Sequence, residues 1–122
     1  MSTDARPLVS RLNVVFLYVR DMERSLAFYR DLLGVPLEGD ESWVEADLGS
    51  TRFALHPAHE GVGELGSGTV HLSLEVASAE QAAERLRAAG VQVGEAMRDD
   101  WGTAVEIADP DGYRIALFQP PG

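Results

Sequence analysis

The chain is written twice. Gly34-Val35 returns 56 residues later as Gly90-Val91, and Arg52-Phe-Ala-Leu55 returns 62 residues later as Arg114-Ile-Ala-Leu117. Two nearly equal offsets mean that one supersecondary unit occurs in two copies. A solenoid, which needs three or more stacked repeats to close its core, is therefore excluded. The full 122 residues are enough for one buried core, so the two copies are expected to share a single domain over residues 1–122.

Each copy reads as strand, helix, then three shorter strands. Leu12 to Val19 is apolar and β-rich, and Asp21 then caps a helix whose apolar positions Met22, Leu26, Tyr29 and Leu33 follow helical spacing up to Gly34. Strand signals follow near Val35 to Leu37, Trp43 to Leu48 and Thr51 to Pro57. A glycine-rich linker, about 58–68, separates module one (about 12–57) from module two (about 69–119). The second copy predicts a strand over Thr69 to Val76 and a helix opened by Ser78 and Gln81 and closed by Gly90. Its last strands are expected near Gln92 to Met97, Gly102 to Ala108 and Tyr113 to Phe118, the final two joined by the Asp109-Pro-Asp-Gly112 turn. The fold class is thus α+β, two βαβββ modules forming a curved, mostly antiparallel eight-stranded sheet.

Alternation along the strands sorts residues by face. One parity is aliphatic throughout: Val44, Ala46 and Leu48; Phe53 and Leu55; Val70, Leu72, Leu74 and Val76. These must pack under the helices. The other parity collects Val14, Phe16 and Tyr18; Trp43, Glu45 and Asp47; Arg52, Ala54 and His56; His71, Ser73 and Glu75; and Arg114, Ala116 and Phe118. Aromatic, acidic and imidazole groups on a concave sheet face suit a pocket. The competing reading is a solvated sheet face, against which Phe16, Tyr18, Trp43 and Phe118 on one face weigh.

Composition narrows the chemistry. Without cysteine there are no disulfides, thiolate zinc sites or cysteine nucleophiles. Twenty acidic against ten basic residues give a net charge of −10, which disfavours nucleic acid and anionic membranes and would steer a cation inward, unless the charge only confers solubility. No apolar run has the length of a membrane span, and Met1 to Val9 carries no signal-type apolar segment, so a cytoplasmic location is expected.

Two motifs carry a family resemblance: Val19-Arg-Asp21 running into Ser25-Leu-Ala-Phe-Tyr29 and Leu33-Gly34, and Asp109-Pro-Asp-Gly112 before the last strand. Over Leu12 to Gln119 the chain resembles the vicinal oxygen chelate superfamily, which includes glyoxalase I, extradiol dioxygenases, fosfomycin resistance enzymes and bleomycin resistance proteins. Enzymes of that superfamily hold a divalent metal with one His or Glu from each of strands one, four, five and eight. The resemblance puts those positions on Val14, Ala54, His71 and Ala116, of which only His71 can ligate. One imidazole does not hold a divalent ion usefully. No metal or other cofactor is therefore expected and an enzyme is disfavoured, although a relocated site around His71, His56 and Glu75 is the competing reading.

Among metal-free members the chain is most similar to bleomycin resistance proteins, which sequester a cationic aromatic drug in grooves at a dimer interface. Asp100-Trp-Gly102 resembles their drug-stacking Trp-Gly segment, and Trp43 falls where they place an opposing ring. The resemblance implies a homodimer that binds a small planar aromatic, cationic molecule such as an antibiotic, giving resistance by sequestration. The candidate site residues are Trp43, Trp101, Phe16, Tyr18, Asp47, His56, His71, Glu75 and Phe118. An accessory that hands its ligand on would look the same in sequence.

Overall fold

The computed structural model describes residues 12–66 and 71–122. In chain order the elements of the first module are β1 (Val14–Val19), α1 (Met22–Leu26) continuing into a π-helical segment (Ala27–Leu32), β2 (Glu38–Asp40), β3 (Trp43–Asp47) and β4 (Arg52–Pro57). The second module has β5 (Leu72–Glu75), α2 (Ala79–Ala88), β6 (Met97–Asp99), β7 (Gly102–Ala108) and β8 (Arg114–Gln119). Hydrogen bonding divides the eight strands into two four-stranded sheets, β1-β4-β3-β2 and β5-β8-β7-β6, with the same order in both. The first and last strands of each module pair in parallel, as a helical crossover requires, and the other neighbours are antiparallel. The duplication is thus realised element by element as an α+β fold of two βαβββ modules.

The helices begin and end where the side chains dictate. An Asp21 carboxylate oxygen accepts the Arg24 N–H at 3.2 Å, and Ser78 Oγ accepts the Gln81 N–H at 3.1 Å, each satisfying a backbone donor that the first turn leaves unpaired. Past the last turns, Gly34 and Gly90 take left-handed φ of 81° and 87°, which lets Val35 N–H reach Tyr29 O and Val91 N–H reach Leu86 O. The first helix widens midway, with Leu33 N–H bonding Phe28 O five residues back. Consecutive residues Phe28 and Tyr29 are both buried there.

The aliphatic parity forms the core as expected except at Leu48, which lies at the turn after β3 and is 41% exposed. Leu17 and Val19, Val44 and Ala46, Phe53 and Leu55, Val105 and Ile107, and Ile115 and Leu117 are buried in one cluster with Phe28, Tyr29, Ala83 and Leu86 from the helical segments. Leu72, Leu74 and Val76 are only partly buried against it. Val70, expected on the same face, and Thr69 lie outside the described residues.

The Asp109-Pro-Asp-Gly112 turn joins the modules. Asp109 Oδ1 accepts the N–H groups of Asp111 and Tyr113, and its Oδ2 accepts the hydroxyl of buried Tyr29. Asp111 accepts from Arg24 and from the Arg20 backbone, while Tyr113 Oη donates to Tyr18 O at 2.9 Å. One turn of the second module thereby fixes the end of β1 and the first helix.

Two strands are displaced from their expected places. Val35 and Leu37 are buried core residues in an irregular segment, and β2 lies just beyond them in exposed Glu38–Asp40. Within Gln92 to Met97, Val93 makes a single bridge to Ile107, and the paired strand β6 starts only at Met97. Apolar pattern marks burial, whereas both short edge strands are exposed and exist through pairing with a neighbour. Among the described residues no helix is long and apolar enough to cross a membrane.

Candidate ligand-binding face

Strand register lays the non-aliphatic parity out as a grid. On the first sheet, Tyr18 lies beside His56 and Phe16 beside Ala54, with Ala54 also beside Glu45; Val14 lies beside Arg52 and Arg52 beside Asp47. Continuing the β3–β4 register by one step brings Trp43 to His56. The second sheet repeats the grid with Glu75, Phe118 and Ala104, then Ser73, Ala116 and Glu106, then Arg114 and Ala108 with His71 just ahead of β5.

The first sheet fills its grid with rings. Phe16 contacts Tyr18 and Trp43 at centroid distances of 5.4 Å and His56 at 6.2 Å; His56 contacts Tyr18 at 5.4 Å and Trp43 at 6.1 Å. Edge-on and tilted geometries of this kind contribute about 1 kcal/mol each beyond burial. Phe16 nevertheless remains 41% exposed, and Tyr18, Trp43 and His56 are half-buried. An open aromatic surface results.

The indole is held in place by its own polar edge. Trp43 Nε1–H donates to Glu45 Oε1 at 2.7 Å, Arg52 Nη1 donates to Glu45 Oε2 at 3.1 Å, and Arg52 Nη2 donates to Asn13 Oδ1 at 3.0 Å. The Trp43 hydrogen bond, and after it the Arg52 charge, hold the Glu45 carboxyl below the usual carboxylate range. Both oxygens of Glu45 are committed, so its charge faces Arg52 rather than an incoming molecule. Asp47 is exposed and accepts the Gly49 N–H at 2.8 Å, which makes it a turn residue at the margin of the face.

The second sheet offers charge instead. His71 is exposed, with Nδ1 3.9 Å from Glu106 Oε2, and Arg114 Nη1 lies 4.0 Å from Glu106 Oε1, loose pairs that matter little energetically. Glu75 is exposed and borders a separate, mainly aliphatic cavity of about 300 Å³ with Leu74, Val76 and Leu33. Phe118 is half-buried with its ring against Gly102, where a Cβ would come within 2.8 Å of it.

The structure therefore brings Phe16, Tyr18, Trp43 and His56 together, and leaves the other expected site residues apart from them. Trp101 is 80% exposed at the β6–β7 turn, with its N–H on Asp99 Oδ1, and makes no ring contact with Trp43 among the described residues. His71, His56 and Glu75 do not converge either. Among the described residues no three His, Asp or Glu side chains are placed to hold an ion. At the positions where the family resemblance calls for ligands, Ala54 is fully buried, while Val14 and Ala116 are half-buried carbon side chains. This donor set does not fit a catalytic metal. Sequence reading also missed His59, whose ring joins the cluster at 5.4 Å from Tyr18 and 6.2 Å from His56; its spacing of three from His56 was the available signal.

Residues 11–117 match the family model described as the Glyoxalase/Bleomycin resistance protein/Dioxygenase superfamily. A relative from Salmonella typhimurium, named lactoylglutathione lyase, is 32% identical over 124 residues, covering 89% of this chain and 92% of that protein. Its Neisseria meningitidis namesake is 33% identical over 131 residues, covering 89% and 90%. Among solved structures, TnmS3, an antibiotic binding protein from Streptomyces sp. CB03234, superposes with a TM-score of 0.77 at 24% identity, covering 95% of this chain and all of that one. A glyoxalase/bleomycin resistance protein from the same source superposes with a TM-score of 0.70 at 26% identity, covering 88% and 100%.

Proposed function

The chain belongs to the Glyoxalase/Bleomycin resistance protein/Dioxygenase superfamily, and we propose that within it this protein is a metal-free binder that sequesters a small planar aromatic cation, such as an antibiotic, in the cytoplasm. The observation that carries the reading is the open cluster of Phe16, Tyr18, Trp43 and His56 on one face of the first sheet. Ring faces there stack on a flat ligand and attract positive charge, each stacked contact contributing about 1 kcal/mol. Glu45 is already paired with Arg52, so preference for a cation comes from the ring faces and from the net charge of −10. The fold shared with TnmS3 supports the reading at the level of architecture.

We further propose that two copies complete the groove, with the exposed indole of the partner's Trp101 closing over Trp43. An indole left 80% exposed in a turn is costly to keep in water and suits an interface. His71, Glu75, Asp47 and Phe118 would then line the margins. Light scattering reads the dimer directly.

Calorimetric titration with ethidium, acriflavine, a neutral anthraquinone and a non-planar tetraalkylammonium ion tests the binding. Micromolar or tighter binding by the planar members, with the cations strongest, is expected. Equally weak heats across the panel would overturn the reading.

The lactoylglutathione lyase names of the curated relatives favour a second reading, a glyoxalase- or dioxygenase-like enzyme with a relocated metal. Val14, Ala54 and Ala116 argue against it. Stoichiometric metal in the isolated protein that disappears with His71→Ala would establish it instead.

A further inference from the structure

His56 and His59 flank Pro57 and Ala58 at the end of β4, and both imidazoles are locked in one tautomer. His56 Nδ1 lies 2.7 Å from Pro57 O, and His59 Nδ1 lies 2.8 Å from Glu60 O. A carbonyl oxygen only accepts, so each Nδ1 carries the proton and each Nε2 is left with a free lone pair. A backbone carbonyl on the far ring nitrogen is the arrangement that orients metal-ligating histidines and raises their basicity.

The backbone around the pair is hydrogen-bonded to its surroundings. Ala58 N–H bonds Val19 O at 2.8 Å, and Val62 N–H bonds His59 O at 3.1 Å. Tyr18 packs edge-on against both imidazoles with centroids at 5.4 Å.

The spacing is within reach of one ion. A metal–nitrogen bond of about 2.0–2.1 Å puts an ion about 3.2 Å from the imidazole centroid, so two rings can share it up to a centroid separation of about 6.4 Å. The observed centroid separation of 6.2 Å lies inside that limit. Imidazole nitrogens suit Cu(II), which stands highest in affinity among first-row divalent ions for nitrogen ligands. We propose that His56 and His59 form a two-histidine Cu(II) site at the rim of the aromatic face, with the remaining coordination positions open to water. It is distinct from the family's metal positions at Val14, Ala54, His71 and Ala116, and it does not depend on the planar-ligand reading.

Titration of the full chain carrying Trp101→Phe with aqueous Cu(II) tests the site, because Trp43, 6.1 Å from His56, is then the sole indole and a paramagnetic ion beside it quenches its emission. Saturable quenching at one ion per chain and electron paramagnetic resonance showing nitrogen coupling are expected, with affinity at least tenfold weaker in His59→Ala. Circular dichroism confirms that the variants are folded. Absence of quenching, affinity indifferent to His59→Ala, or binding lost only with His71→Ala would each overturn the proposal.

Discussion

Tyr29 Oη donates a 2.6 Å hydrogen bond to Asp109 Oδ2, joining the first helix of one module to the last turn of the other across 80 residues of sequence. Both side chains are buried, and Asp109 also receives two backbone N–H groups, so this carboxylate organises the junction. Burial, and secondarily the Asp109 charge, push the tyrosine hydroxyl far above its ordinary pKa, which keeps it a donor at every accessible pH.

Tyr29→Phe should therefore destabilise the chain by about 1–3 kcal/mol, the cost of leaving a buried acceptor short of one partner. Urea denaturation reads this as a lower midpoint with an unchanged slope. The aromatic face, which Tyr29 does not touch, should keep its proposed affinity for a planar cation.

The contribution of Asp109 to stability should fall as pH rises from about 4, the ordinary range of an aspartate, against the opposite trend from Asp31, Asp40 and Glu45, whose carboxyls are held low. Desolvation holds the Asp109 carboxyl above that range despite the hydrogen bonds it accepts. The folded state then keeps this proton longer than the unfolded state. The associated stability is complete below the unfolded pKa and is lost as pH climbs through the folded one. Chemical denaturation of Asp109→Asn across the same range should show a shallower decline than the parent; parallel profiles would remove Asp109 as the cause.

Gly102→Ala should cost about 2 kcal/mol or more. Gly102 has φ of 142°, and an added Cβ would collide with the Gln119 backbone oxygen and lie 2.8 Å from the Phe118 ring. Thermal unfolding measures the loss.

Glu45→Gln should leave the unfolding midpoint nearly unchanged, since the Arg52 pair is largely solvated. Affinity for a planar cation should fall by about three- to tenfold, because the indole loses its charged acceptor and with it a fixed orientation. Calorimetry separates the two effects.

Much of this was legible in the sequence because strand parity and capping chemistry are local. Gly102–Ala108 forms as expected, Asp21 and Ser78 cap their helices, and Phe16, Tyr18, Trp43 and His56 share one face because alternate residues must. What escaped was set by neighbours. The edge strand Glu38–Asp40 has no apolar signal and forms by pairing with Trp43–Glu45. The role of Asp47 as a turn acceptor, the commitment of both Glu45 oxygens and the approach of His59 to Tyr18 depend on side-chain reach. The separation of Trp101 from Trp43 within one chain depends on how the two sheets are disposed, which alternation along a strand does not encode.

The central claim is that the aromatic face binds a planar cation without metal at the inherited position. Its most direct test is the Trp43 emission of the Trp101→Phe protein, titrated with acriflavine after exhaustive chelation. Saturable quenching that persists in chelator and vanishes in Phe16→Ala is the expected result. Binding that disappears on chelation and returns with a divalent metal would contradict the account.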